Sequence, residues 1–375
     1  MKAARIAVEG NIEETILDFL KKAMDKKLFD AILIPMAVPA GDSYAWVLTR
    51  DKLLLDEASS FPPIMSVQGA KAISSLTKRG KTNKKIAALM RPCEIRATIE
   101  LSKLHQVELD NIFLISLDCP GVLPLKDWIK DAKRGADIFK EVMQHFVGGD
   151  LTSNKSVRPA CTICHRFSDN GAADLHIGIL GTKGEEIFFI PHSIQAEGIL
   201  AALDLSLGDD FSSWQNSVDG IMEERKRKRA QVQEELKTKV VGLDHLLDAF
   251  DNCIGCHICQ RVCPICFCRQ CYFDSDKVKH PSDDYLMRAE SKGSISILPD
   301  KIIFHLGRMS HMALSCVGCG ACEDACPMSI KVAQIFSLIA DRSQDLFNYI
   351  AGKSLEEPLP LRTYEEDELQ IVETS

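Results

Sequence analysis

Cys253, Cys256, Cys259 and Cys263 are followed at once by Pro264, and Cys316, Cys319, Cys322 and Cys326 are followed at once by Pro327. The spacing C-x-x-C-x-x-C-x-x-x-C-P therefore occurs twice, with the same gaps and the same closing proline. Three cysteines held two residues apart on a tight loop can wrap one corner of a cubane iron–sulfur cluster, and the cysteine before the proline then reaches a second cluster. The repeat constrains this part of the chain to a loop-rich unit folded around two four-iron clusters. Structural zinc also takes four cysteines, but usually as two separated C-x-x-C pairs. Disulfide staples suit short exported chains rather than one of 375 residues.

The bulk composition narrows the partners. A net charge of −8 leaves no excess of Lys and Arg to face phosphates, which argues against nucleic acid. The one dense basic run, Glu223-Glu-Arg-Lys-Arg-Lys-Arg229, sits among Glu and Gln and reads as a solvated helix face. Near the start, Ile6-Ala-Val8 is cut at once by Glu9, so no signal-type apolar stretch forms there. No window approaches the roughly 18 apolar residues of a membrane span. Fifteen cysteines without an export signal point to a reducing compartment and metal ligation, so the expected location is cytoplasmic, with no direct membrane span.

Residues 1–210 read as an α/β domain with a mixed sheet. Ile12, Ile16, Leu17, Phe19, Leu20 and Met24 recur at helical spacing. Strands are expected at 31–38, 45–49, 86–90, 112–117, 173–180 and 187–190, with a helix at 94–104. Ile112 to Leu117 is nearly continuous apolar sequence, as in a strand buried on both faces. A charged helical connector is expected over 211–248. The two-cluster module then covers 249–345, and its motifs are separated by a 52-residue insert, Pro264 to Ser315, within which Ile302 to Ser315 reads as a helix. An acidic tail, 346–375, carries Pro358, Pro360 and the run Glu365 to Glu368 and is of a kind that is often mobile or docks on a partner.

Seven cysteines lie outside the two motifs. Cys93 and Cys119 follow expected strands, at the carboxyl ends where α/β sheets place ligands. Cys161 and Cys164 form a C-x-x-C on a loop. Spacing alone leaves a third four-cysteine site level with two buried free thiols plus a redox pair or zinc knuckle. Cys266, Cys268 and Cys271 crowd against the first motif. They are candidates for extra ligands, replacement ligands or buried thiols tuning a cluster from outside it. His305 and His311 flank Arg308 before the second motif and read as helix-face packing or hydrogen-bond donors beside a cluster.

Met90-Arg-Pro-Cys-Glu-Ile-Arg-Ala97, Leu114-Ile-Ser-Leu-Asp-Cys-Pro-Gly121, Cys161-Thr-Ile-Cys164 and Ala173-Asp-Leu-His-Ile-Gly178 resemble, in this order, the beta subunits of coenzyme F-420 hydrogenases and dehydrogenases, a family that includes the formate dehydrogenase beta subunit. The resemblance covers about residues 55–195. It implies a flavin-type fold for the first domain, FAD, and a third 4Fe-4S cluster on Cys93, Cys119, Cys161 and Cys164. It also implies flavin contacts near 63–68, 91–94 and 174–184, giving Ser66, Gln68, Arg91, Pro92, Glu94, Asp174, Gly178, Gly181 and Thr182 as candidates. The residues themselves carry a weaker flavin signal: no G-x-G-x-x-G follows a strand, and Gly178-Ile-Leu-Gly-Thr-Lys-Gly184 reads equally as a phosphate-facing loop or a turn. Two departures from the family pattern bear on the hydride carrier. Arg91 stands where many members have a small Thr-type residue, and the two-cluster module follows the flavin domain instead of preceding it.

The expected function is that of a flavin and iron–sulfur beta subunit in a multi-subunit oxidoreductase. A soluble hydride carrier, deazaflavin or NAD(P)H, would exchange electrons with FAD, and three 4Fe-4S clusters would connect it to a formate dehydrogenase, hydrogenase or heterodisulfide-reductase-like catalytic subunit. The alternatives are a flavin-free iron–sulfur wire and assembly adaptor, and a zinc-stabilised interaction protein.

Overall fold

The computed structural model describes residues 2–150, 154–169, 171–295 and 300–362. The strands are β1 (Ala3–Ala7), β2 (Ala31–Ala37), β3 (Tyr44–Thr49), β4 (Ile86–Met90), β5 (Ile112–Leu117), β6 (Leu175–Gly178), β7 (Glu186–Pro191) and β8 (Leu207–Gly208). They form one sheet in the order β3-β2-β4-β5-β6-β7-β1-β8. The run β2-β4-β5-β6 is parallel and every pairing outside it is antiparallel, so the expected mixed α/β sheet is present. Strands β4 and β5 are buried at every position, which is why they read as unbroken apolar runs. Strand β1 was not expected from the sequence; it pairs with both β7 and β8.

The helices of the first half are α1 (Ile12–Asp25), α2 (Gly69–Leu76), α3 (Pro92–Lys103), α4 (Leu125–Lys130), α5 (Ala132–Val147), α6 (Pro159–Thr162) and α7 (Ile194–Ala202). Beyond them come α8 (Ser212–Val240), α9 (Leu243–Phe250), α10 (Ile258–Val262), α11 (Ser282–Lys292), α12 (Lys301–Met312), α13 (Ala321–Asp324) and α14 (Val332–Leu346). Alternation along the strands sends Ile32, Ala87, Leu89 and Ile115 into one core with α1, α5, α7 and the start of α8. Leu33, Ala88, Met90 and Leu114 enter the opposite core, where α2 and α3 meet Phe250, Cys259, Phe304 and Phe336 of the cysteine-rich half. The sheet and the two-motif module thus share one apolar interior.

Two expectations are corrected here. The charged segment 211–248 is not one helix, because the chain breaks at Gly242 (φ 100°) between α8 and α9. Nor is the basic run only a solvated face. Trp214, Val218, Ile221 and Arg225 follow one another at helical spacing and are all buried, and Arg229, one turn on, makes a two-pronged ion pair with Asp341 at 2.7 and 2.8 Å. Lys226, Arg227 and Lys228 remain exposed.

The segment after α14 packs on α3. Glu100 accepts hydrogen bonds from the Tyr349 hydroxyl and, at 2.7 Å, from Gly352 N, while Arg96 Nε donates to Ala351 O at 2.9 Å. Gly352 has φ 72°, and a Cβ there would lie 2.2 Å from the Arg96 carbonyl oxygen, a backbone atom with little room to yield. Gly352→Ala is expected to cost about 2 kcal/mol through local strain and to free the strap from α3. Hydrogen exchange at Tyr349 to Gly352 would then quicken well beyond that of the sheet, and unchanged exchange would refute the assignment. The acidic run Glu365 to Glu368 lies outside the described residues.

Candidate iron–sulfur centres

The parallel order β4-β5-β6 brings the ends of three successive connections to one edge of the sheet. Cys93 lies in the first turn of α3 directly after β4, Cys119 lies two residues past β5, and Cys161 and Cys164 come from α6 and its exit. All four thiols line a single cavity, together with Arg91, Arg158, Arg166 and Arg225. What spacing left open, the topology brings together.

The cavity suits a polyanionic iron–sulfur cluster. Arg158 Nε donates to Cys161 Sγ at 3.3 Å, and Arg225 Nη1 donates to Cys164 O at 3.1 Å while its guanidinium lies 4.4 Å over the Phe167 ring. Arg166 Nη1, and Arg225 Nε and Nη2 are buried with no hydrogen-bond partner, while Arg158 Nη1 faces the buried Asp324 carboxylate at 3.5 Å. Orphaned buried guanidinium donors are costly unless negative charge is placed among them. Burial pushes the Cys119 thiol up to about 12 against the pull of Arg91, and it pushes Cys93 well above the ordinary thiol range. A bound metal would give these buried thiols a reason to be deprotonated.

Asp118 fixes the base of this site. Its carboxylate accepts from Ile179 N at 2.7 Å, Leu180 N at 3.0 Å, Trp214 Nε1 at 2.7 Å and the Ser168 hydroxyl, and it meets His176 Nε2 at 3.1 Å. Burial alone would raise this carboxyl, but His176, Ser168 and Ile179 N outweigh it and hold it below the usual carboxylate range. The next residue, Cys119, is anchored by its own N–H to Phe167 O at 2.8 Å.

The last cysteine of the first motif lies with the first three of the second. Cys316, Cys319 and Cys322 line one cavity with Cys263, the last cysteine of the first motif, and with Arg308, Met312 and Phe336. Burial raises the Cys259 thiol to about 11, and Cys253, Cys256 and Cys326 lie near enough for their charge to act on it. His305 is stacked on Phe250 at 3.9 Å and sets Nε2 3.4 Å from Cys253 Sγ; burial, with Arg308 beside it, lowers its pKa to about 3. His311 is exposed.

Cys266 lies beside Cys263 and contacts Met312 Sδ at 3.5 Å, Cys268 is exposed, and Cys271 is half-buried. None of the three lines either cavity described above.

The nine flavin candidates fall into two groups. Ser66, Gln68, Arg91, Pro92 and Glu94 gather where α2 and α3 begin, next to Cys93. Glu94 accepts from Gly69 N and Arg91 N, both at 2.9 Å, so one carboxylate caps both helices. Gln68 Nε2 donates to Cys93 O at 3.3 Å, Arg91 Nη2 donates to Pro62 O at 2.6 Å, and the Ser66 hydroxyl pairs with that of Ser43. Asp174, Gly178, Gly181 and Thr182 belong to β6 and its flanks. There Asp174 accepts from Leu114 N and Thr182 bonds Ile179 O. A Cβ on Gly178 would meet the Trp214 ring at 2.7 Å, and one on Gly181 would meet the Ser217 hydroxyl. In this second group α8 packs against Gly178 and Gly181, and the Asp174 carboxylate and Thr182 hydroxyl bond within the chain. Val67, between Ser66 and Gln68, is half exposed, whereas Gln68, Arg91 and Glu94 are buried.

Sequence reasoning missed Arg158 and the inward-facing Arg225. Arg158 stands three residues before Cys161, and Arg225 is in register with Trp214, Val218 and Ile221; both cues were present but unread.

The fold and these sites define an iron–sulfur electron-transfer protein in which a mixed α/β domain is joined to a dicluster module. The sequence profile of the 4Fe-4S dicluster domain matches residues 249–330. Over most of its length the chain is similar to the F420-dependent formate dehydrogenase subunit beta of Methanocaldococcus jannaschii, 26% identical over 88% of this chain and 89% of that one. It is likewise similar to the F420-dependent formate dehydrogenase 1 subunit beta of Methanococcus maripaludis, 28% identical over 94% of both chains. The resemblance seen in the motifs is thereby borne out, and these relatives are subunits of an oxidoreductase. Among solved structures, a chain of the F420-reducing NiFe hydrogenase complex from Methanosarcina barkeri aligns with a TM-score of 0.44 and 11% identity, covering 65% of this chain and 94% of that one. Among the described residues no helix is long and apolar enough to cross a membrane.

Proposed function

We propose that this chain is the electron-transfer beta subunit of an F420-linked formate dehydrogenase or hydrogenase-type complex and holds three 4Fe-4S clusters. The observation that carries this reading is the cavity of Cys93, Cys119, Cys161 and Cys164, whose wall includes Gly318 and Cys319 of the second motif. An electron-carrying site in the α/β domain thus abuts the dicluster module. When bound, such clusters accept and release single electrons. The chain's own part is to supply twelve thiolates, to neutralise them with buried guanidinium groups, and to keep water out with the apolar core behind the sheet.

FAD belongs to this reading through the family resemblance, and the relatives' names favour a deazaflavin over a nicotinamide as the hydride carrier. Of the candidate flavin positions, Ser66, Gln68, Arg91, Pro92 and Glu94 are the ones gathered beside Cys93. The flavin-free wire and adaptor is the second reading, and the observation that favours it is the internal pairing of most candidate polar atoms. Anaerobic purification with the native partners separates the two. About twelve irons per chain with one extractable flavin, and reduction by the deazaflavin, are expected. The same iron without flavin would leave the wire, and colourless protein with stoichiometric zinc would overturn both.

A further inference from the structure

Two buried arginines stand where neighbouring cysteine sites meet. Arg158, 3% exposed, donates from Nε to Cys161 Sγ at 3.3 Å and from Nη2 to the carbonyl of Cys319. The first contact belongs to the α/β domain site and the second to the site of Cys263, Cys316, Cys319 and Cys322. Arg308, also 3% exposed, donates from Nη1 to Cys259 Sγ and from Nη2 to Cys259 O, both at 3.1 Å, and at the same time lines the cavity of Cys263, Cys316, Cys319 and Cys322. Its Nε is buried without a partner. The domain cavity is walled by Gly318 and Cys319, and no residue of the first motif enters its lining.

We propose that the three sites stand in series, with the site of Cys263, Cys316, Cys319 and Cys322 in the middle. Arg158 and Arg308 are then positioning residues, one at each junction, each raising the reduction potential of both sites it lies between. The proposal rests on the reading that all three sites hold clusters.

The physical argument is one of charge. Reducing a cluster adds one negative charge and moves no proton in this account. A fixed buried cation nearby favours that form, and in a low-dielectric interior the effect is little screened. Hydrogen bonds to ligand sulfurs act in the same direction. Because the interaction weakens with separation, each arginine moves its two flanking sites and leaves the remote one.

Redox titration of the intact complex, followed by electron paramagnetic resonance, tests this. Signals are assigned with Cys93→Ala, Cys322→Ala and Cys256→Ala, each removing one. Arg158→Gln is expected to lower the potentials of the domain and middle signals and leave the third. Arg308→Gln is expected to lower those of the middle and third signals and leave the domain signal, so that only the middle site responds to both. The expected size is about a tenfold fall in the reduced-to-oxidised ratio at fixed potential, or about 59 mV for a one-electron couple. Arg158→Lys and Arg308→Lys keep the charge, should show the same pattern at smaller size, and carry the comparison if a glutamine variant loses a cluster. A shift confined to one signal, a shift of the remote signal, or no shift in a variant with its full iron overturns the series. Fewer than about twelve irons in the unsubstituted complex would instead sink the three-cluster reading.

Discussion

Replacing Cys263 with alanine is expected to empty the site of Cys316, Cys319 and Cys322, although Cys263 belongs by sequence to the other motif. The four thiols line one cavity, and the fourth cysteine of the second motif, Cys326, lies near Cys259 of the first. Iron should fall from about twelve to about eight per chain. Pairs of substitutions make the assignment unambiguous, because residues acting on one site are not additive while those on separate sites are. Cys263→Ala with Cys322→Ala should still hold about eight irons, whereas Cys263→Ala with Cys256→Ala should hold about four. If instead the pair with Cys256 keeps eight, the motifs do not cross. Stability should fall too, because Cys263 ties the end of α10 to the loop before α13 through the metal–thiolate bonds of the cluster.

That crossing is an expectation from spacing, since in this motif the cysteine before the proline reaches a second cluster. Spacing alone left the domain site open, and the resemblance implied it. Its cysteines are separated by 26 to 42 residues before the final pair, and only the neighbouring positions of β4 and β5 in a parallel sheet bring Cys93 and Cys119 together. Periodicity announces each strand but not its neighbours. Burial of charge was equally hidden. Arg225 sits in a run of seven charged residues, and composition gives it a solvated face; the helix register behind Trp214 turns it inward. The glycine-rich stretch from Gly178 to Gly184 carries both a phosphate-loop and a turn reading as a sequence, and the choice depends on Trp214, which lies 36 residues beyond Gly178. Elements whose cause is local were readable from the residues, whereas the site whose cause is the packing of distant segments was reached only through the resemblance.

Asp118→Ala is expected to cost about 3–5 kcal/mol, the usual penalty for removing one side of a buried charged network, against a total stability of about 5–15 kcal/mol. The carboxylate joins three parts of the domain. It receives two backbone N–H groups from the turn after β6, the Ser168 hydroxyl from the segment before it, and the Trp214 indole from α8, with His176 alongside. Truncation leaves these groups buried and unpaired, and water has little access because Asp118 and His176 are fully buried. Ser168→Ala removes a single donor and should cost about 1 kcal/mol. Asp118→Asn is a poor rescue, since the amide nitrogen it introduces must face donors that the carboxylate oxygens accept; its cost should therefore fall between the two. The readout is hydrogen exchange at Ile179 and Leu180 in the assembled complex, where a loss of about 3 kcal/mol appears as roughly a hundredfold faster opening. Because Cys119 is the next residue, Asp118→Ala should also lose the iron of the domain site while both dicluster sites keep theirs. Slow exchange at Ile179 and Leu180 in that variant, with the domain iron retained, would show that the sheet edge is held by Phe167 and the strand pairing alone.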